Sequence, residues 1–479
     1  MIEKRDFYIN GQWVAPSAPN DMTVINPSTE DPCAVISLGG QADTDAAVAA
    51  AKAAFPAWST TPKADRLALI EKLAEVYTKR ADDLAEAMSL EMGAPIDMAR
   101  QSQVGAGSWH IANFIKAFKD FEFDQMLGDH APNDRLLYEP IGVCAMITPW
   151  NWPMNQVTLK CVAAMAAGCT MVLKPSEIAP LSSIVWSEIV DEAGFPPGVY
   201  NMVNGDGIGV GTQLSTHPDV DMVSFTGSTR AGIAISKAAA DTLKRVALEL
   251  GGKGANIIFD DADDKAVKRG VLHMMNNTGQ SCNAPSRMLV QRGVYDQAVE
   301  IARETAEKIS VGSAQDNGRH IGPVVSELQW GKIQDLIQQG IDEGARLVAG
   351  GTGRPDGLNK GYFVKPTVFA DVNNQMTIAR EEIFGPVLSM IPFDTEEEAV
   401  EIANDTVYGL TNYIQTQDGA KANRVGRQMR SGMVEMNGQG RGAGAPFGGY
   451  KQSGNGREGG VMGIEDFLEV KAISGWSND

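Results

Sequence analysis

Residues 143–177 read VCAMITPWNWPMNQVTLKCVAAMAAGCTMVLKPSE. Val143 to Thr148 is apolar and β-rich, and Asn155 to Ala167 is helical in pattern. Thr170 to Leu173 is a short strand ending at Lys174-Pro175-Ser176-Glu177. The same alternation continues downstream. Leu181 to Ala193 reads as a helix and Val199 to Val203 as a strand. Val220 to Phe225 is a strand ending at Thr226-Gly227-Ser228-Thr229, where a helix starts. Arg245 to Leu250 is a strand ending in Gly251-Gly252-Lys253. Regular alternation of this kind predicts an α/β fold, a parallel sheet with helices on both faces. Ligands of such sheets sit at the carboxyl ends of the strands.

A second alternating block runs from Ala255 to about Asn437. It contains the strand Ala255 to Phe259 and helices at Asp263 to Met275, Tyr295 to Ile309, Gly331 to Glu343 and Glu396 to Asn404. On the N-terminal side, Phe7-Tyr8-Ile9, Asn10-Gly11 and Gln12-Trp13-Val14 form a hairpin, because Asn-Gly supplies the positive φ angles of a two-residue turn. Ala46 to Trp58 is an Ala-rich helix with Asp43 as its N-cap. Lys63 to Glu91 carries apolar residues at helical spacing and reads as one long helix with a break. Another helical stretch reaches about Phe121. Glu122 to Tyr138 and the tail from Met462 fit neither block and read as extended arms, which pair with another strand, here one on a neighbouring subunit. There is no repeat and no low-complexity linker, so the domains interleave.

The chain has 479 residues, 43% of them hydrophobic and 21% charged, which suits a soluble globular protein of several domains. Its net charge of −19 argues against nucleic acid or an anionic membrane surface as a partner, since phosphate binding needs a basic patch. Five cysteines without a CxxC pair suit a reducing compartment. No metal site is expected, because the histidines show no ligand spacing. Val157 to Leu173 is interrupted by Lys160, Gly168 and Thr170, so it is a buried helix and strand rather than a membrane span. The N-terminus lacks the apolar core of a signal peptide. The expected compartment is the cytoplasm.

Small, turn-forming residues surround one thiol in Asn276-Asn277-Thr278-Gly279-Gln280-Ser281-Cys282-Asn283-Ala284-Pro285. Such a loop brings its backbone close to a substrate carbon. The thiolate is the nucleophilic form of Cys; the alternative is an inert buried thiol. Four clusters lie where strands give way to loops. Asn151, between bulky rings in Pro149-Trp150-Asn151-Trp152-Pro153, is an amide donor or a helix cap. Lys174 and Glu177 are spaced to hold a ribose or to form a surface ion pair. Phe225-Thr226-Gly227-Ser228-Thr229 exposes N–H groups that suit a diphosphate. Gly205, Gly207, Gly209 and Gly211 offer another phosphate loop, but without the strict spacing after a strand. Glu249, a lone acid at an apolar strand end, is a general base with a raised pKa or a partner of Lys253. Glu381-Glu382-Ile383-Phe384-Gly385-Pro386 adds a carboxylate beside an aromatic ring.

Asn151, Lys174, Gly227, Glu249, Cys282 and Glu382, in this order and context, resemble the NAD(P)-dependent aldehyde dehydrogenase superfamily. The resemblance runs from the hairpin at Tyr8-Ile9-Asn10-Gly11-Gln12-Trp13 to Pro446-Phe447-Gly448-Gly449-Tyr450-Lys451-Gln452-Ser453-Gly454. It implies a Rossmann-like nucleotide-binding domain (1–121 and 142–250) interleaved with a second α/β catalytic domain (251–443). A β-arm for oligomerisation (122–141 and 462–479) completes the chain. It implies NAD-dependent oxidation of an aldehyde to the acid. Cys282 would attack the aldehyde, Asn151 and the Cys282 N–H would hold the oxyanion, and Glu249 would activate water against the thioester. Trp150, Lys174, Ser176, Glu177, Gly227, Ser228, Glu382 and Phe384 would bind the cofactor. The Glu177 carboxylate favours NAD over NADP, because it accepts from a free 2′-hydroxyl and repels a phosphate. Trp152, Gln156, Ser281, Asn283, Arg441 and Phe447 would line the substrate tunnel. Arg441 would receive an anionic semialdehyde or stand solvated in its loop. The partners implied are a small aldehyde and other copies of the chain, as a dimer or tetramer. A coenzyme-A-acylating relative and an inactive protein of the same fold are the alternatives; the acid at Glu249 argues against the first, and intact Cys282, Asn151 and Glu249 against the second.

Overall fold

A computed structural model describes residues 1–477. The last two residues of the 462–479 arm lie outside them. The opening stretch forms the strand Val143–Ile147, the helix Pro153–Ala167 and the parallel strand Thr170–Lys174. Pro153 starts the helix, where its missing N–H costs nothing, and Gly168 ends it at φ +95°.

These strands are the middle of a seven-stranded sheet. Its order is Arg245–Glu249, Met222–Thr226, Val143–Ile147, Thr170–Lys174, Tyr200–Met202, Phe7–Ile9 and Gln12–Val14. The first five are parallel and the terminal hairpin is antiparallel. Asn10 (φ 53°) and Gly11 (φ 74°) make the hairpin turn, as the Asn-Gly pair predicts. The strands alternate between two cores, as a sheet covered on both faces requires. Val143, Ala145 and Ile147 pack into one; Cys144 and Met146 pack into the other. The chain reverses direction of growth between Val143–Ile147 and Met222–Thr226, which opens a crevice at their carboxyl ends.

The second seven-stranded sheet runs Arg346–Ala349, Thr367–Ala370, Val387–Phe393, Arg287–Gln291, Ala255–Ile258, Thr411–Gln415 and Met433–Met436. All neighbours are parallel except the first pair. Gly251-Gly252-Lys253-Gly254 leads from the last strand of the first sheet straight into Ala255–Ile258 of the second. The carboxyl ends of one sheet therefore meet the amino ends of the other. The Cys282 loop precedes Arg287–Gln291, on that seam.

Three expectations change. Asp43 is not the N-cap: the helix spans Gln41–Ser59, Gly40 caps it, and the Asp43 carboxylate, inside the first turn, accepts the Gly40 N–H at 2.8 Å. The tail from Met462 is not wholly extended, because Gly460–Glu465 is helical. The arms pair with each other inside one chain: Asp134–Pro140 lies between Asp124–Met126 and Leu468–Ser474. The long N-terminal helix breaks at Arg80, into Lys63–Lys79 and Ala81–Met92. Among the described residues, no helix is long and apolar enough to cross a membrane.

Arg287 ties the seam together. It is fully buried and donates to the Lys253 carbonyl (3.0 Å), Asn374 Oδ1 (3.0 Å), the Ile402 carbonyl (2.8 Å) and the Ala403 carbonyl (2.9 Å). Burial pulls its pKa down to about 10, so it stays charged at neutral pH. Arg287→Ala would leave these acceptors unpaired and should cost about 3 kcal/mol or more. Chemical denaturation followed by fluorescence measures the loss.

Candidate active site

Three loops converge on the seam. The first carries Cys282. Asn277 (φ 50°), Thr278 (φ 56°) and Gly279 (φ 72°) turn through the left-handed region, which costs energy for Asn and more for β-branched Thr. A buried amide network holds this turn. Asn277 Nδ2 donates to the Asn151 carbonyl (2.8 Å) and the Gln280 carbonyl (3.1 Å). Gln103 Nε2 donates to the Asn151 carbonyl (3.1 Å) and to Asn277 Oδ1 (3.3 Å). Gln280 Oε1 accepts the Val325 N–H at 3.0 Å, and Thr278 Oγ1 donates to the Gly322 carbonyl at 3.1 Å. Buried networks of this kind fix one geometry, although here Gln103 Oε1 has no partner among the described residues. Asn151 belongs to the network and is not a helix cap: Nδ2 donates to the Gln280 carbonyl at 3.0 Å, and the helix from Pro153 has no side-chain cap. Its amide keeps a second hydrogen for a ligand.

The second loop follows Glu249. The Gly252 N–H donates to Glu382 Oε1 at 2.9 Å. A Cβ on Gly252 would stand 2.3 Å from the Cys282 carbonyl oxygen, and one on Gly251 2.4 Å from Glu382 Oε2. Only glycine allows that approach. The third loop carries Glu382 and Phe384, the latter at φ 59°. The helix Glu327–Asp342 grips it: Gln329 Nε2 donates to the Ile383 and Phe384 carbonyls, both at 3.0 Å, and Lys332 Nζ to the Glu382 carbonyl at 2.9 Å. The Phe384 ring stands edge-on to Trp150, centroids 5.4 Å apart.

One cleft brings together Trp150, Asn151, Gly227, Ser228, Glu249, Cys282, Glu382 and Phe384, eight of the residues named from the sequence. It is also lined by Thr226, Leu250 and Gly251, which belong to the clusters read from the sequence, and by Gln329 and Lys332, which sequence reasoning missed. Lys174, Ser176 and Glu177 lie outside this lining, at the end of the neighbouring strand. Lys174 is buried, donates to the Pro175 carbonyl at 2.7 Å and stands 3.3 Å from Glu177, so this is no surface ion pair. Gly207–Gly211 forms one wide helical turn after Asp206.

The substrate candidates flank Cys282 outside the same lining. Trp152 Nε1 donates to Ser281 Oγ at 2.8 Å, and the Asn283 carbonyl accepts the Tyr413 hydroxyl at 2.6 Å. Gln156 is buried, and its Oε1 has no partner among the described residues. Arg441 stands 3.4 Å from Glu435 and over the ring of Phe447. It is paired and partly buried.

Burial pushes the Cys282 thiol up to about 12, with Glu382 and Glu249 adding to the effect. Burial, then Glu458, pushes Glu249 well above the usual carboxylate range. Neither Glu249 oxygen has a hydrogen-bond partner among the described residues. Lys253 is not its partner: that amine is also unpartnered, and burial brings it down to about 7. Glu458 is instead held by Lys160 at 2.6 Å, and Lys160 also donates to Ser224 Oγ at 3.1 Å. Lys160 was visible as the one charge in an apolar helix; its partner is 298 residues away, beyond any local pattern.

A thiol, an amide donor and an unpartnered acid in one cleft fit carbonyl chemistry, and the family model of the aldehyde dehydrogenases matches residues 13–473. The chain belongs to the aldehyde dehydrogenase family. It is 53% identical over 478 residues to a 3-succinoylsemialdehyde-pyridine dehydrogenase from a Pseudomonas species, with 99% of each chain covered. It is 61% identical to an aldehyde dehydrogenase from Bartonella henselae, with a TM-score of 0.99 over 99% of this chain and 100% of that one. It is 48% identical to a cysteine-to-alanine variant of aldehyde dehydrogenase C from Pseudomonas syringae, solved with NAD+ and octanal. There the TM-score is 0.97 over 99% of this chain and 97% of that one. As an aldehyde dehydrogenase the protein is an oxidoreductase acting on aldehydes, and the fold implied by the motifs from Asn151 to Glu382 is the fold found.

Gly252→Ala should displace Cys282 by crowding its carbonyl. A misplacement of about 1 Å costs on the order of 10²-fold in turnover. We expect kcat for aldehyde oxidation to fall by that order while the circular dichroism spectrum is kept.

Proposed function

We propose that the chain oxidises an aldehyde to the carboxylic acid with NAD, through a thioester on Cys282 that Glu249 helps water to hydrolyse. The observation that carries this reading is the shared cleft: Cys282, Asn151 and Glu249 line it beside Glu382 and Phe384. The Cys282 thiol first gives its proton to solvent water, and as the resulting thiolate attacks the aldehyde carbon the carbonyl electron pair moves to oxygen. The second Asn151 amide hydrogen and the Cys282 N–H hold that oxyanion. One such donor is typically worth ~10²–10³ in turnover. When bound, NAD supplies the hydride acceptor. Glu249, with both oxygens unpartnered, takes a proton from the water that attacks the thioester carbon, and the Cys282 thiolate leaves.

The residues present fit a dinucleotide. Thr226 Oγ1 is buried without a partner and lines the cleft. Ser228 caps the helix Thr229–Ala239 just beside it. Glu382 would hold the nicotinamide ribose, with Phe384 and Trp150 beside the ring. Gly227 and Ser228 would hold the diphosphate, and Lys174, Ser176 and Glu177 the adenosine ribose. The Glu177 carboxylate favours NAD over NADP, and the Pseudomonas syringae relative was solved with NAD+. In this reading 1–121 with 142–250 binds the nucleotide and 251–443 supplies the nucleophile. The arm, 122–141 with 462–479, joins copies into a dimer or tetramer. The outward Val470, 58% exposed on the edge strand Leu468–Ser474, supports that use. Five free cysteines support a cytoplasmic location.

Wild type should form NADH from NAD and an aldehyde such as octanal without coenzyme A, and Cys282→Ala should not. Glu249→Gln should give one burst of NADH per site and then turn over ~10²–10⁴-fold more slowly; a full steady-state rate would exclude Glu249 as the base. The thiolate fraction of a thiol held near 12 grows about tenfold per pH unit below that value. Iodoacetamide labelling of Cys282, without nucleotide, should therefore climb between about pH 7 and about pH 10 without the plateau near ~8.5 of a free thiol.

A further inference from the structure

Arg441 is clamped. Its guanidinium carbon lies 4.7 Å from the Phe447 ring centroid, and its Nε lies 3.4 Å from Glu435 Oε1. The side chains are 27% and 14% exposed, which sets this pair apart from a solvated surface ion pair. Glu435 comes from the strand Met433–Met436, where it is in register with Tyr413. The Tyr413 hydroxyl donates to the carbonyl of Asn283, the residue after the nucleophile. Phe447 is fixed from the other side, exchanging backbone hydrogen bonds of 2.7 and 2.8 Å with Glu458, the partner of Lys160. The clamp is thus fastened on both sides to groups around Cys282. Arg441 also acts electrostatically on Cys282, Tyr413 and His110, so its charge lies near the nucleophile.

A free guanidinium there would recruit a carboxylate. The Glu435 carboxylate, 3.4 Å from Nε, offsets that charge. The terminal nitrogens have no hydrogen-bond partner among the described residues. They remain donors for an uncharged oxygen, such as a ketone, ester or hydroxyl. The stack with Phe447 offers a flat face to a ring.

We propose that Glu435 is a specificity-determining, positioning residue: by holding Arg441 as a neutral pair over Phe447, it directs the enzyme to uncharged aldehydes and away from carboxylated semialdehydes. This rests on the aldehyde oxidation proposed above. Specificity of this kind works by opposing the wrong ligand as well as by attracting the right one.

The test uses para-formylbenzoate against its methyl ester, and ω-carboxylated octanal against octanal. The kcat/KM ratio within each pair is read for wild type, Glu435→Gln, Arg441→Gln and the double variant. Wild type should favour the uncharged member. Glu435→Gln should shift the ratio about tenfold toward the carboxylate, mainly through KM, as expected when a charged partner is released. Most of that gain should vanish in the double variant, because the freed Arg441 causes it. A ratio unmoved by Glu435→Gln, or a gain undiminished in the double variant, overturns the proposal. A general loss of fold lowers both members and leaves the ratio in place, so it cannot mimic the expected shift. NADH from none of the four aldehydes overturns the proposed reaction itself, and this assignment with it.

Discussion

The site depends on one close approach. The backbone of Gly252 lies against the Cys282 carbonyl at a distance that no side chain tolerates, and Gly251 lies against the Glu382 carboxylate. The Gly252 N–H to Glu382 hydrogen bond closes the contact. These residues are the link between the two sheets, so the geometry of the seam and the geometry of the cleft are one constraint. Moving either sheet would part nucleophile from base. Arg287 holds the far side of the same link through the Lys253 carbonyl.

The electrostatics of the cleft follow from that closure. Burial disfavours the charged forms of both the Cys282 thiol and the Glu249 acid, and Glu382 and Glu249 strengthen the effect on the thiol. A resting neutral thiol is protected from oxidation and stray electrophiles, since reactivity follows the thiolate. The buried Lys160–Glu458 pair acts electrostatically on Glu249, whose two oxygens have no hydrogen-bond partner among the described residues. Arg441 is the cation whose charge opposes these acids at the thiol, and Glu435 tempers it.

Much of this was legible in the sequence because it is local. Asn10-Gly11 specified its turn, the apolar spacing from Lys63 specified one long helix with a break, and Val143 to Lys174 specified strand, helix and strand. Of the eight cleft residues, Trp150, Asn151, Gly227, Ser228 and Glu249 stand at or just beyond the carboxyl end of a strand, where position predicts a site, whereas Cys282, Glu382 and Phe384 precede strands of the second sheet and were read from their loops and the family resemblance. Asp43 was misread by three residues because the cap, Gly40, has no side chain to announce itself. The arms were read as reaching outward, whereas Asp134–Pro140 finds Leu468–Ser474 across the length of the chain. Gln103, Gln329, Lys332 and Glu458 were invisible for the same reason: their partners are distant in sequence, and an isolated Gln or Lys on a helix looks like solvated surface.

The central claim is that an acyl group passes through the Cys282 sulfur. The most direct measurement is mass spectrometry of peptides from enzyme acid-quenched during turnover of octanal with NAD. The account predicts an octanoyl mass on the peptide carrying Cys282, absent when NAD is withheld. An octanoyl group on another residue, or none on Cys282 while NADH accumulates, would contradict it.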